Sequence, residues 1–170
     1  MDEHLPAAVS AITERFHGLS SEFRGQVSLL VPPDTIVEVC RTLRDEFGFE
    51  MLAAQTAVDY WPAQEPRFHI IYQLNSLAHN QRLGLRVPVD GNAPLMPTIE
   101  SIYPNANWFE REIWDMFGIR FEGHKDMRRI LMPYDWVGHP LRKDYPLGYE
   151  EVQFSFNYDE IDGRKPYAKE

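Results

Sequence analysis

Two stretches of alternating residues, 68–75 and 82–89, constrain the fold more than any other feature of the chain. Apolar side chains occupy every second position, in the order Phe68, Ile70, Tyr72, Leu74 and then Leu83, Leu85, Val87, Val89. A period of two is typical of a strand with one buried face, although Ile71 interrupts it. The polar residues 76–80 between the stretches favour a hairpin. The sequence therefore predicts an antiparallel strand pair with one face in the core.

Helical and strand patterns precede this hairpin. Apolar residues from Leu5 to Phe16 recur at helical spacing and predict a first helix that ends at Gly18. The apolar run 27–31 predicts a strand, and Asp34 is a candidate N-cap for a second helix that ends at Gly48. Residues 51–60 predict a further strand. We expect an α+β fold: a single domain with a small mixed or antiparallel sheet flanked by helices, and a long irregular C-terminal extension.

Length and composition narrow the function. A chain of 170 residues suits one well-cored domain, which we place at residues 1–123, with an extended segment at 124–170. The formal net charge of −9 argues against nucleic acid as a partner. Cys40 is the only cysteine, so this chain cannot supply the four thiolates of an iron–sulfur cluster. The acidic start and the lack of a long apolar run predict a protein without a presequence or a membrane span of its own.

The stretch 107–118 predicts an amphipathic helix. Asn107 is a candidate N-cap, and Glu110 three residues later would complete a capping box. We expect Arg111 and Asp115 to pair at i,i+4, with Glu112 and Trp114 beside them. An apolar stripe faces the core, and Gly118 ends the helix; the stripe consists of Phe109, Ile113, Met116 and Phe117.

Four kinds of chemistry are candidates for this chain. Paired-carboxylate catalysis is disfavoured because Glu110 and Glu112 point away from each other on a helix. A metal site could use His124 and His139, which both follow glycine near several aspartates, but no HxxxH or CxxC spacing occurs. Cys40 shares a helix face with apolar residues, which favours core packing over nucleophilic catalysis. Nucleotide-binding glycine loops do not occur in the sequence.

An assembly surface is the interpretation that the residues favour. The segment from residue 124 onward is dense in proline, aromatic and charged residues. This segment and the helix before it contain residue types enriched at protein–protein hot spots: Trp114, Arg128, Arg129, Tyr134, Trp136, Arg142 and Tyr145. The alternative is a tail that folds back on its own domain. For Gly138–Leu147 we expect an extended conformation, poor coverage by the domain, and docking on another subunit, since two prolines exclude a helix interior.

Two motifs resemble a known family. The pattern from Glu110 to Leu131, with Glu-Arg-Glu, Asp115, Met-Phe, His124, Arg128 and Ile-Leu at fixed distances, resembles the signature of the C (thirty-kilodalton) subunit of respiratory complex I. "GHPLRKDYPL", which is Gly138–Leu147, is similar to a second hallmark of that family. The residues that carry the resemblance, and that we expect at interfaces, are Glu110, Arg111, Glu112, Trp114, Asp115, His124, Arg128, Arg129, His139, Pro140, Arg142, Lys143, Asp144, Tyr145 and Pro146.

The resemblance implies a structural role in the hydrophilic arm of a proton-translocating NADH:quinone oxidoreductase. It implies no catalytic, cofactor-binding or metal-binding residue here; flavin and iron–sulfur clusters would lie in partner subunits. The implied partners are the quinone-pocket (D, forty-nine-kilodalton) subunit and the cluster-binding B subunit. The implied location is peripheral, on the cytoplasmic face of the bacterial inner membrane, reached only through the complex. The alternatives are the equivalent subunit of a membrane-bound hydrogenase or plastoquinone-reducing complex, and a stand-alone metal-dependent enzyme that uses His124 and His139.

Overall fold

The computed structural model describes residues 4–146, Phe154 and residues 156–163. A short 3-10 turn, Pro33–Thr35, precedes the second helix. The helices are α1 (His4–Phe16), α2 (Ile36–Asp45), α3 (Ala106–Phe117) and α4 (Tyr158–Asp162). The strands are β1 (Leu19–Phe23), β2 (Gln26–Leu30), β3 (Met51–Asp59), β4 (Phe68–Ser76), β5 (Gln81–Val89), β6 (Leu95–Pro97) and β7 (Arg120–Glu122). None of the helices in these ranges is long and apolar enough to cross a bilayer.

The predicted hairpin is the centre of a five-stranded sheet. Strands β4 and β5 pair antiparallel from Phe68 opposite Val89 to Ser76 opposite Gln81. The strand order is β1-β2-β5-β4-β3, and the β2–β5 pair is parallel while the other pairs are antiparallel. The sheet is therefore mixed, as predicted. A separate parallel pair, β6 with β7, was not predicted because each strand has only three residues.

One face of the sheet forms the core. The side chains at alternate positions of β4 and β5 are buried, while Gln73 on the opposite face of β4 is exposed. The buried residues of α1, α2 and α3 join the same apolar cluster, so these helices lie on that face. Fully burying one such side chain contributes about 1.5–3 kcal/mol. The α+β class predicted from the sequence is confirmed.

Two predicted helix caps are wrong. Asp34 lies inside the 3-10 turn, and α2 begins after Thr35, whose hydroxyl donates to the carbonyl of Pro32. The fixed φ of proline at the start of this turn draws Asp34 into it. Helix α3 begins at Ala106 rather than after Asn107, so no capping box forms.

Gly118 ends α3 as predicted. It adopts φ +75° and donates its N–H to the carbonyl of Trp114. This left-handed conformation is one that glycine adopts without steric cost. The chain then reverses direction and enters β7.

Candidate functional site

The carboxylate of Asp115, on the inner face of α3, organises the segment that follows the sheet. Its Oδ2 accepts the backbone N–H groups of Ile130, Leu131 and Met132 at 3.0, 2.8 and 2.9 Å. Its Oδ1 accepts a hydrogen bond from the guanidinium of Arg129. Burial opposes ionisation, but these hydrogen bonds outweigh it and lower the pKa of Asp115. A charged carboxylate with no solvent exposure therefore fixes residues 129–132 against α3.

Arg129 extends this attachment along the chain. Besides Asp115, its guanidinium donates to the carbonyls of Trp136 and Gly138 and lies 5.6 Å from the ring centroid of Trp114. Helix α3 and two carbonyls of the segment thus meet at one planar cation, which is the geometry that an Arg fork favours. Of the two adjacent arginines, Arg129 rather than Arg128 pairs with the carboxylate of α3.

The predicted i,i+4 pair of Arg111 with Asp115 is wrong. Arg111 instead donates to the carbonyl oxygens of Arg128 and Arg129 and packs over Trp108 at 5.4 Å. Both residues of the expected pair bond instead to the backbone of residues 128–132. This backbone supplies donors and acceptors that a helix surface lacks. Arg128 forms an exposed ion pair with Asp126.

Glu110 belongs to a different contact. Its carboxylate accepts the hydroxyl of Thr98 and the N–H of Ile99, which joins α3 to the turn after β6. Burial raises the pKa of Glu110 to about 7, although both hydrogen bonds act in the opposite direction. Glu112, by contrast, is exposed on the outer face of α3. The two glutamates do face apart, as predicted.

The stretch after Gly138 satisfies the end of α3. The carbonyls of Asp115, Met116 and Phe117 would otherwise lack partners because the helix ends there. They accept from the Nδ1–H of His139, the N–H of Leu141 and the Nε–H of Arg142, respectively. Burial lowers the pKa of His139. Three consecutive carbonyls of α3 therefore fix the GHPLRKDYP stretch to the domain.

A buried arginine immediately before β4 holds the same stretch from the other side. Arg67 donates to Asp59 at 3.0 and 2.9 Å and also to Asp144. The N–H of Lys143 donates to Asp59 at 2.9 Å. Burial opposes ionisation of Asp59, but the hydrogen bonds from Arg67, Lys143 and Trp61 lower its pKa to about 2. Sequence reasoning missed Arg67 and Asp59, because Arg67 and Asp144 lie 77 positions apart.

For residues up to Pro146, the expectation that Gly138–Leu147 is extended is wrong; Leu147 lies outside the described residues. The backbone N–H of Arg142 donates to the carbonyl of His139, and that of Tyr145 to the carbonyl of Arg142, in successive turns. The stretch is partly covered: Arg142 and Asp144 bond to the domain, while Leu141, Lys143 and Pro146 are exposed. The alternative of a tail folded back on its own domain holds for this part of the chain. Docking on a partner subunit remains a prediction.

The two candidate metal ligands are held by backbone groups. His124 contacts the carbonyl of Asn107 through Nε2 at 3.2 Å and accepts the N–H of Asp126 at Nδ1. His139 uses its Nδ1 on Asp115, as described above. Within the described ranges, no three or more His, Cys, Asp or Glu side chains are arranged to hold a metal ion. Cys40 is buried among apolar side chains, and burial raises its pKa.

The outer surface of the segment is apolar. Tyr134 is 94% exposed and Val137 85% exposed. We define the outer apolar face as these two residues together with Leu131, Trp136 and Leu141, all of which are exposed. The segment therefore pairs Arg129 with α3 on its inner side and exposes these apolar side chains, which is typical of a protein–protein contact surface. Pro140 is half-buried, Pro146 is exposed, and the Tyr145 hydroxyl donates to the carbonyl of Val137.

Comparison with known proteins gives consistent results. Residues 29–151 match the family model described as "Respiratory-chain NADH dehydrogenase, 30 Kd subunit". The C subunit of the NADH-quinone oxidoreductase of Roseiflexus sp. (strain RS-1) is 52% identical over 153 residues, which cover 89% of this chain and 87% of that protein. The corresponding C subunit of Geobacter sulfurreducens is 45% identical over 126 residues, covering 74% of this chain and 78% of that one.

Two solved structures are similar in fold. The trypsin-resistant fragment (1–134) of Nqo5 is 30% identical, with a TM-score of 0.66, and the match covers 72% of this chain and 98% of the fragment. A chain of the membrane-bound sulfane sulfur reductase, an archaeal respiratory membrane complex, matches with a TM-score of 0.75 over 99% of this chain and 97% of that chain. At 21% identity, the second match shows a shared fold alone.

Proposed function

Because the chain belongs to the family of the respiratory-chain NADH dehydrogenase 30 kDa subunit, we propose that it is an assembly subunit of a proton-translocating NADH:quinone oxidoreductase. In this role it supports electron transfer from NADH to quinone by holding neighbouring subunits in place. Relatives that match most of the chain are named as C subunits of NADH-quinone oxidoreductase. Their names supply the reaction that the proposal assigns to the whole complex.

The orientation of the signature residues supports an architectural role. Asp115, Arg129 and Arg142 all direct their charged groups to other atoms of this chain. Charges that are fully occupied in this way are not available to bind a substrate. Their effect is to hold the C-terminal segment in one conformation, with the outer apolar face turned to solvent. A preorganised surface with exposed apolar side chains favours binding to another protein.

The partners and the location follow as parts of the same proposal. We assign the outer apolar face to the quinone-pocket (D) subunit or the cluster-binding B subunit, and membrane attachment to the complex, on its cytoplasmic face. Flavin and iron–sulfur clusters belong to partner subunits, since a cluster needs several thiolates and the single Cys40 is buried. A metal-dependent enzyme based on His124 and His139 is disfavoured, because no three His, Cys, Asp or Glu side chains of the described residues are arranged to hold a metal ion.

A substitution on the outer apolar face tests the proposal in the assembled complex. Val137→Asp places a charge in the contact surface without disturbing the core, since the side chain is 85% exposed. We expect an affinity-tagged Val137→Asp chain to recover much less of the other subunits and of NADH:quinone activity from membranes than the wild type. The matched control is Leu77→Asp, on the β4–β5 turn, where Leu77 is 66% exposed. We expect this control to behave like the wild type.

Measurements on the isolated chain provide a second test of the proposed function. We expect it to show no visible absorbance band, no stoichiometric iron or zinc, and no turnover with NADH and quinone analogues. A stoichiometric metal or measurable turnover would contradict the architectural role. Failure of the wild-type chain to recover any other subunit from membranes would contradict membership of a complex.

A further inference from the structure

The five-stranded sheet has a second face, on which Ser21, Gln73 and Ala54 are exposed. A central row of residues paired in register runs across all five strands on this face, in the order Ser21, Ser28, Gly84, Gln73 and Ala54. A flanking row on the same face consists of Leu19, Leu30, Arg86, Ile71 and Thr56. We define the open sheet face as these two rows together with Phe23 and Arg82. Helices α1 to α3 pack on the opposite face.

The open sheet face is basic in an acidic protein. The groove along it has a volume of about 850 Å³ and is lined by Arg82 and Arg86, with no Asp or Glu among the described residues that line it. The chain as a whole carries a formal net charge of −9. Neither arginine forms an ion pair with any residue in the described ranges. By contrast, Arg67 and Arg129 both pair with buried carboxylates.

Tyr60 fixes the side chain of Arg86 in an orientation that suits anion binding. Its guanidinium donates to the hydroxyl of Tyr60 and lies 5.8 Å from the centre of that ring, which fixes its orientation. Its Nε–H is shielded from solvent and has no hydrogen-bond partner among the described residues. An incoming carboxylate therefore pairs with the terminal nitrogens of this guanidinium, through charge-assisted hydrogen bonds, rather than with the shielded Nε. Two acids, Glu65 and Asp90, line an adjacent cleft, which meets the open sheet face at Leu30.

The shape of the face indicates what kind of element would cover it. Uncovered sheet faces in proteins pack against helices or a second sheet. The central row has small side chains at Ser21, Ser28 and Gly84, so little side-chain bulk stands between a partner and the strands there. Leu19 and Phe23 are 67% and 71% exposed and provide apolar contacts at the β1 edge.

We propose that the open sheet face binds an acidic amphipathic helix of a neighbouring subunit, one of whose carboxylates pairs with Arg86 and another with Arg82. The inference rests on the proposed function, which supplies the neighbouring subunit. Arg82 and Arg86 are four residues apart on one strand, a span of roughly 13 Å. A helix that runs along β5 therefore carries its two acids roughly seven to ten residues apart, since it rises about 1.5 Å per residue.

Photo-cross-linking in the intact complex tests this geometry. A photoreactive amino acid replaces Gln73, which is exposed at the centre of the open sheet face, in the affinity-tagged chain. We expect a cross-link to a helix of another subunit that carries acids at the stated spacing. The control position is Glu14, exposed on the helical side of the domain. A cross-link only to this chain's own residues, to a helix without acids, or to nothing would overturn the proposal, provided the chain still co-purifies with other subunits.

Charge reversal gives an independent measurement. Arg82 is exposed, so Arg82→Glu leaves the core intact while it repels an acidic partner. We expect at least about a tenfold loss of the variant from the purified complex, with an unchanged melting temperature of the isolated chain. Exchange of the cross-linked partner's acid for Lys should restore recovery. Arg41→Glu, exposed on α2, is the matched control and should be recovered like the wild type.

The outcomes separate the inference from the proposed function. If the wild-type chain recovers no other subunit, both fail. If the wild type is recovered with its complex and Arg82→Glu is recovered equally well, the proposed function stands and the acidic helix is refuted.

Discussion

Replacement of Asp115 by asparagine should destabilise the protein more than any other isosteric change on α3. An amide retains one acceptor oxygen and gains an NH2 group. If the oxygen faces the three N–H groups of residues 130–132, the NH2 faces the guanidinium of Arg129, which only donates. If the amide is flipped, the NH2 faces three donors instead. Either rotamer leaves a buried donor without an acceptor.

The magnitude follows from the burial of the pair. The Asp115 side chain is 0% exposed and that of Arg129 13% exposed, so solvent screens their interaction little. Removal of one partner of a buried ion pair costs about 3–5 kcal/mol, because the other charge stays buried and unpaired. For a chain of this length, each kcal/mol lowers the melting temperature by about 2–4 °C. We therefore expect Asp115→Asn to lower it by roughly 6–20 °C.

Urea unfolding of the isolated chain at pH 7, followed by circular dichroism, measures the effect. Glu112→Gln is the matched control, since Glu112 lies on the exposed face of the same helix. We expect this control to change the free energy of unfolding by no more than about 0.5 kcal/mol. The dependence on denaturant should be unchanged in both variants, because neither alters the surface exposed on unfolding.

A result in which Asp115→Asn and Glu112→Gln differ by less than about 1 kcal/mol would refute the reasoning. It would mean that the segment from residue 129 does not depend on this carboxylate. The double variant Asp115→Asn, Arg129→Gln provides a further check, since it removes both charges. It should be less destabilised than the sum of the single variants, because they interrupt the same interaction.

Three further predictions concern α3 and its surroundings. Folding raises the pKa of Glu110 from 4.5 to about 7, so this residue stabilises the fold fully below about pH 4.5 and loses that contribution as pH rises through 7. Glu110→Gln should abolish this part of the pH dependence of the melting temperature. Gly118→Ala should lower the melting temperature and expose residues 139–146 to hydrogen exchange, because a Cβ there lies 2.6 Å from the His139 ring. Arg142→Ala should destabilise the isolated chain by about 1.5–3 kcal/mol and Lys143→Ala by almost nothing, which chemical denaturation would distinguish.

Local periodicity allowed much of the sheet and the three longer helices to be predicted. The alternation in β4 and β5 follows from the two-residue repeat of a strand with one buried face, so burial is visible directly in the order of residues. Strand β1 has no such pattern, because all five of its residues are exposed, and it was missed. The end of α3 at Gly118 was predicted for a similarly local reason, since a positive φ favours glycine.

The candidate site could be predicted only as a set of residues. The motifs identified Asp115, Arg129, His139 and Arg142 by their spacing in a family pattern, but spacing along the chain does not specify partners in space. Helical geometry alone suggested that Arg111 pairs with Asp115. In the structure, each of them bonds instead to the backbone of residues 128–132.

The order of residues was enough to establish the α+β class, the central hairpin and the family, because these depend on periodicity and on motifs along the chain. The folded chain was needed to show that the charged stretch after Gly138 lies on its own domain. Asp144 pairs with Arg67, and His139 and Arg142 donate to carbonyls at the end of α3, which are distant in the sequence. A buried charge requires a partner, but any acceptor of suitable geometry can fill that role, so the residue order does not reveal which one does.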